Sequence, residues 1–297
     1  MGKVLITGSN GMLGNVLAEE FYLKNKNTLG VDLLKSETSI PFVQLDLTEL
    51  SDVESLLNEV KPAVIIHTAA YTNVDFCEKN HELTDKLHIN ATKLLADYSE
   101  SKAKLVFISS DSVFDGMIGN YREDDNKAPT NYYAKTKDVA EEIIKSTCDD
   151  YIIVRTNIFG FHQNNGSSLV EWALNKLFIG EQINGFTDVY FNAIYTRLLS
   201  RIVIEMINLN LKGTYHVCSN NSVSKFEFLK ILAGIFKLDV NLISPIKMED
   251  SKLGASRPKN TTLNTDKIHS FIKLPSVEDG LNKLHEDYLN SKTVKMF

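Results

Sequence analysis

Residues 3–14 read KVLITGSNGMLG, and this stretch decides the fold. Val4 to Thr7 is a short apolar run, the pattern of a strand buried on both faces. Gly8, Gly11 and Gly14 follow at a spacing of three, and residues 12–22 then carry the apolar periodicity of a helix. Strand, glycine turn and helix in that order predict a dinucleotide-binding unit. One glycine permits the tight turn, one lets the backbone approach a pyrophosphate, and one lets the helix pack close to the strand. The helix N-terminus then offers free amides and the positive end of its dipole to the phosphates. Gly8, Asn10, Gly11, Met12, Leu13 and Gly14 are therefore candidate cofactor contacts.

Outward from this turn, residues 28–31 read as a second strand ending at Asp32. A carboxylate there can accept bonds from both hydroxyls of an adenosine ribose, and it repels a 2′-phosphate. Lys35 is close enough to tolerate such a phosphate. NADH is favoured on this reading and NADPH stays open. Residues 42–45 form a third strand, followed by Asp46 and Leu47, which either meet the adenine edge or cap the next helix.

Strands at 63–67, 105–108 and 151–154 alternate with helical patterns at 50–60, 90–98 and 133–144. Such alternation predicts an α/β fold, a Rossmann-type doubly wound parallel sheet with a smaller C-terminal substrate-binding lobe. The expected division gives residues 1–157 to the nucleotide domain, with a returning segment at about 186–218. Residues 158–185 and 219–297 then form the lobe. Helices are expected there at 168–178 and 226–236, and a polar loop at 245–259.

The 297 residues are 43 % hydrophobic and 24 % charged, with a net charge of −6. This balance argues against a nucleic-acid partner, which would need a basic face. No run of 18 apolar residues exists to span a membrane. Cys77, Cys148 and Cys218 form no CxxC pair, as expected of reduced thiols in a cytoplasmic protein. The seven histidines show no metal-ligand spacing, so no metal site is expected. His67, ending an apolar strand, reads as a core-edge residue.

Tyr133 and Lys137 form a YxxxK pair, which on a helix shares one face. An ammonium ~5 Å from the phenol, at an effective dielectric near 20, favours the phenolate by roughly 3 kcal/mol. The tyrosine can then protonate an alkoxide formed by hydride addition. Three other YxxxK pairs occur, at Tyr22, Tyr98 and Tyr288, but only Tyr133 opens the helix after the fifth strand. That strand ends at Ser109-Ser110-Asp111, where strand C-termini meet a ligand crevice. A loop from Ser110 can bring its hydroxyl onto the same carbonyl oxygen. The expected catalytic set is Ser110, Tyr133 and Lys137.

On GSNGMLG from Gly8, HTAAYTNVDFCE from His67, SSDSVFDG from Ser109, YYAKTK from Tyr132, VRTNIFG from Val154 and RPKNTTLNTDKI from Arg257, the chain resembles the extended short-chain dehydrogenase/reductase family. More narrowly it is similar to the dTDP-4-dehydrorhamnose reductase branch, over nearly its whole length. The resemblance implies NAD(P)H-dependent reduction of a 4-keto-6-deoxysugar on a nucleotide, in polysaccharide precursor synthesis. It implies that Ser110, Tyr133 and Lys137 are the triad, with Asp111 beside it. Ala69, Ala70 and Tyr71 would line the cofactor, together with Thr156 and with Asn90 supporting the lysine through water. Thr72, Val74, Asp75, Asn157 and Arg257 would approach the substrate. The alternatives are that Asp75 caps a helix, that Asn90 is a satisfied amide and that Arg257 is a solvated loop charge. Homodimers are common in the wider family.

Two departures stand out. The family usually reads DYVFDG, and Ser112 takes the tyrosine's place. It tends to carry a tryptophan after the RT of the sixth strand, where this chain has Asn157-Ile158-Phe159, and the single tryptophan is Trp172. The nucleotide and sugar stay open on these grounds. A sugar epimerase or dehydratase on the same scaffold is one alternative, although the glutamate that dehydration needs is replaced by Ser112. A regulatory subunit without catalysis is another.

Overall fold

The computed structural model describes residues 2–35, 38–163, 166–251 and 258–292. The first half runs β1 (Val4–Thr7), α1 (Met12–Lys24), β2 (Thr28–Asp32), β3 (Phe42–Gln44), α2 (Leu50–Val60), β4 (Val64–His67). It continues with α3 (Val74–Lys79), α4 (His81–Asp85), a π turn (Lys86–Asn90), α5 (Ala91–Ser99), β5 (Lys104–Ser110), α6 (Tyr132–Thr147) and β6 (Tyr151–Thr156). The second half holds β7 (Ile158–Phe159), α7 (Leu169–Phe178), β8 (Ile183–Phe186), β9 (Tyr190–Phe191), β10 (Ile194–Tyr195), α8 (Thr196–Asn208) and β11 (Gly213–His216). Then come β12 (Val223–Ser224), α9 (Lys225–Ile235), β13 (Ile243–Ile246), α10 (Asp266–His269) and α11 (Val277–Lys292).

Seven strands form one sheet in the order β11-β6-β5-β4-β1-β2-β3, every pair parallel. The strand order reverses between β1 and β4, which opens a crevice at their C-terminal ends. Alternation along each strand explains why they read as continuous apolar runs. Val4, Ile6, Val64, Ile66, Val106 and Ile108 pack on the side of α1 and α8. Leu5, Ile65, Leu105 and Phe107 pack on the side of α2, α5 and α6. Both faces are covered, so neither can be polar.

A separate apolar cluster holds the second lobe, with Phe159, Leu174, Phe228, Leu232 and Leu281 at its centre. Its strands are minimal pairs, β7 with β10, β8 with β13, and β9 with β12. β13 runs two residues into the expected polar loop at 245–259, and Pro245 occupies an edge position there. The two parts are joined at Arg197 on α8. Its guanidinium ion-pairs with Glu19 and Glu20 of α1 and with Asp287 of α11. Among the described residues no helix is long and apolar enough to cross a membrane.

The expected helix at 90–98 is longer and broken. It is preceded by α3, α4 and the π turn, a one-residue distortion of helical pitch that often accompanies functional sites.

Candidate active site

The glycine turn connects β1 to α1 above the sheet. Gly8 has φ +68°, and a Cβ there would lie 2.7 Å from the Ala69 backbone. A Cβ on Gly14 would lie 2.0 Å from the Gly8 carbonyl oxygen. Any larger residue would therefore push α1 off the strand. Gly11 is the N-cap of α1 and supplies no side-chain cap. The first amides of α1, from Met12 onward, are left for an anion. Asp32 accepts from the Asn10 amide at 2.9 Å and from the Leu34 amide at 3.2 Å. The carboxylate thus fixes the glycine turn while keeping lone pairs for a ribose. Ser9 Oγ and Asn10 Oδ1 are buried without a partner in the same turn. A cradle for a pyrophosphate, a ribose acceptor and orphaned polar atoms beside them fit a dinucleotide. Ala69, Ala70 and Tyr71 leave the end of β4 half-buried, next to this turn. Asp46 accepts from the Thr48 amide at 2.9 Å and hydroxyl at 2.8 Å, closing a turn ahead of α2, whose N-cap is Glu49 and has no side-chain cap, and Leu47 is buried.

Ser110, Tyr133 and Lys137 converge at the C-terminal end of β5. The Ser110 side chain lies close enough to the Tyr133 phenol to act on its protonation. Lys137 is buried; its Nζ donates to the Ile108 carbonyl at 2.9 Å and lies 4.6 Å from the Phe107 ring centroid. Burial pulls its ammonium down to about 8, while the Glu141 carboxylate draws it back up. Tyr133 overturns one expectation. The residue is half-buried, and burial raises the phenol well above its usual range. The Ser110 side chain lowers it in part, and the Asp111 carboxylate raises it further. The Lys137 ammonium is turned to the Ile108 carbonyl. Without a cofactor, Tyr133 is therefore held as the protonated acid.

Asp111 is a buried hub. It accepts from Ser110 at 3.1 Å and Ser112 at 3.3 Å on one oxygen, and from Asn157 at 2.8 Å and Thr261 at 2.5 Å on the other. Both departures from the family pattern, Ser112 and Asn157, thus end on this carboxylate. Thr156 is buried and its hydroxyl donates to the Val217 carbonyl at 2.7 Å, which ties β6 to the chain after β11 and turns that hydroxyl away from a ligand.

α6 starts because Asn131 caps it, accepting from the Ala134 amide at 3.0 Å. Behind the site Glu141 receives Arg155 through two nitrogens and the Ser109 hydroxyl at 2.6 Å. Burial alone would raise that carboxyl; Arg155 holds it below its usual range.

Thr72 is exposed, and Val74 and Asp75 are half-buried in the first turn of α3. The cap of α3 is Asn73, not Asp75. Asn90 is exposed at the end of the π turn, and the side chain that this turn sends inward is His88. Neither His88 nor Thr136 was marked by the sequence motifs, although Thr136 sits within YxxxK. Arg257 lies outside the described residues. A cavity of about 610 Å³ opens in the second lobe, lined among others by Trp172, Phe186 and Lys225; none of the triad lines it. No metal-ligating cluster occurs among the described residues.

A family model described as the RmlD substrate binding domain matches residues 2–290. The structure is similar to dTDP-4-dehydrorhamnose reductase from Bacillus anthracis, crystallised with NADP, at 32 % identity and a TM-score of 0.87, covering 96 % of this chain and 99 % of that one. The sequence is 28 % identical to a probable low-salt glycan biosynthesis reductase of Haloferax volcanii, over 94 % of this chain and 96 % of that protein. It is also 29 % identical to mouse methionine adenosyltransferase 2 subunit beta, over 91 % of this chain and 82 % of that protein. With a match across almost its entire length, the chain belongs to the RmlD substrate binding domain family.

Proposed function

We propose that this chain is an NAD(P)H-dependent reductase of a 4-keto group on a nucleotide-linked 6-deoxysugar, serving polysaccharide precursor synthesis. The observation that carries it is the placing of Ser110, Tyr133 and Lys137 at the C-terminal end of β5, in the sheet whose β1 ends in the Gly8–Gly14 cradle. The reductases from Bacillus and Haloferax support the reaction class. Gly8, Gly11 and the first amides of α1 would hold the pyrophosphate, and Asp32 the ribose. When bound, the reduced nicotinamide supplies a hydride to the carbonyl carbon. Ser110 orients the carbonyl oxygen, and Tyr133 gives that oxygen its proton. Lys137 is placed to turn from the Ile108 carbonyl toward the nicotinamide ribose and the tyrosine. Asp111 keeps the Ser110 hydroxyl in place. Thr72 and Asn157 would approach the sugar.

The test is a panel. dTDP-, UDP- and GDP-linked 4-keto-6-deoxysugars are offered with NADH or NADPH, and nicotinamide absorbance is followed. Consumption with at least one sugar is expected; none with any sugar or cofactor would sink the reading. Tyr133→Phe is expected to bind NAD(P)H normally and to lose about 10²–10⁴-fold in kcat. Asp32→Ala should weaken NADH more than NADPH, because the ribose acceptor is lost and a 2′-phosphate is no longer repelled. An unchanged ratio of the two Kd values would show that Asp32 serves only the turn.

We also place the chain in the cytoplasm, on its three free and buried cysteines. A homodimer through the outer face of α6, where Val139 is exposed, is the matching assembly, to be checked by light scattering. The likeness to a methionine adenosyltransferase subunit favours a second reading, a chain that attaches to another enzyme. Turnover in the panel would remove it.

A further inference from the structure

Two buried histidines lie between the cofactor wall and α6, and their hydrogen bonds can be followed proton by proton. The Thr136 hydroxyl donates to the Tyr133 carbonyl oxygen at 2.8 Å. A hydroxyl has one proton to give. Its 2.8 Å contact with His88 Nδ1 must then be donated by the ring. At the other edge, His88 Nε2 is 2.8 Å from the Tyr71 amide nitrogen, a group that only donates. One ring state satisfies both contacts, the neutral imidazole with its proton on Nδ1. An imidazolium would set a second N–H against the Tyr71 amide.

The pattern repeats behind it. Thr92 donates to the His88 carbonyl at 2.6 Å, so it accepts from His67 Nε2 at 3.1 Å. His67 Nδ1 is then left to accept from the Thr7 hydroxyl at 2.7 Å. Thr7 is the last residue of β1, immediately before the glycine turn. A chain of bonds thus runs in one direction from the base of the cofactor cradle to the residue that carries the phenol. Burial is the main reason both rings stay neutral, helped by the Lys137 ammonium; His67 is held at about 3 and His88 at about 2. The rings of Tyr71 and Tyr133 flank His88 at 6.1 and 5.9 Å, the second edge-on.

We propose that His88 is a positioning residue for the proton transfer, a permanently neutral strut that fixes Tyr133 against the Ala69–Tyr71 wall of the cofactor site. This rests on the reading of Tyr133 as the proton donor. The π turn at Lys86–Asn90 is the device that points the imidazole inward.

Selective ¹⁵N-histidine labelling of the wild-type chain reads the ring state directly. His88 is expected to show a protonated Nδ1 and a bare Nε2, without titration from about pH 8 to about pH 5. A proton on Nε2, or titration near the ordinary value of ~6.5, overturns the proposal. The kinetic arm uses His88→Leu, Thr136→Val and His88→Gln. The first two should lower kcat by about 10-fold or more, leave the KM for NAD(P)H within a factor of about two, and raise the solvent deuterium isotope effect on kcat. A partly unfolded preparation would lower the active fraction without moving that isotope effect. His88→Gln keeps one donor and one acceptor on its amide and should restore most of the rate. If His88→Leu does not fold, Thr136→Val and the ring state decide. Wild-type kcat and isotope effect in Thr136→Val, with Tyr133→Phe inactive, would end the strut and spare the reductase. An active Tyr133→Phe would end the reading of the tyrosine instead, whatever state His88 shows.

Discussion

At the scale of single residues, Asp111 has the most consequences. A buried carboxylate is tolerated only when its oxygens are satisfied, and here four side chains from three segments satisfy them. Asp111→Asn replaces one acceptor oxygen by a donor that must face other donors. A loss of about 1–3 kcal/mol in urea unfolding is expected, with a fall in kcat because Ser110 is no longer oriented. Unchanged stability would mean that the four contacts are incidental. The sequence makes Asp111 visible, because it follows Ser110. It could not reveal Thr261, which is 150 positions away and meets the carboxylate only after both lobes have formed. It also suggested a phenol made acidic by Lys137; spacing on a helix gave proximity but not the direction of the ammonium, which the Ile108 carbonyl decides.

At the scale of elements, α6 presents the chemistry. Its N-cap Asn131 lies two positions before Tyr133, so the cap fixes the first turn and the phenol together. Asn131→Ala should cost about 1 kcal/mol in denaturant unfolding and slow turnover more than it weakens cofactor binding. Equal loss in kcat and in cofactor affinity would contradict this. The strands β1, β4, β5 and β6 of the main sheet were legible because each contains a short apolar run, whereas β11, Gly-Thr-Tyr-His, has none. The segment before α5 was not legible. Two short helices and a π turn share no single period, so residues 74–90 carry no pattern that a period of 3.6 could detect. The strands of the second lobe, several of them two residues long, are too short for alternation to show.

At the scale of the whole molecule, three buried histidines dominate the response to acid. His67 and His216 are held at about 3 and His88 at about 2, each mainly by burial. Unfolded, they would titrate near ~6.5. Their folded values are depressed, so the stability they contribute is complete above ~6.5 and is lost as pH falls toward 3. Between about pH 6 and 5 the unfolded chain takes up close to three more protons than the folded one, a slope approaching about 4 kcal/mol per pH unit. Urea midpoints at several pH values check this, and a flat profile down to pH 5 would refute it. Buried carboxylates such as Glu141, lowered by Arg155, act in the same direction at lower pH. The knot at Arg197 has an outcome of another kind. Because one guanidinium bonds α1, which follows the glycine turn, and α11, which packs on the second apolar cluster, replacing Arg197 would unfasten both helices at once.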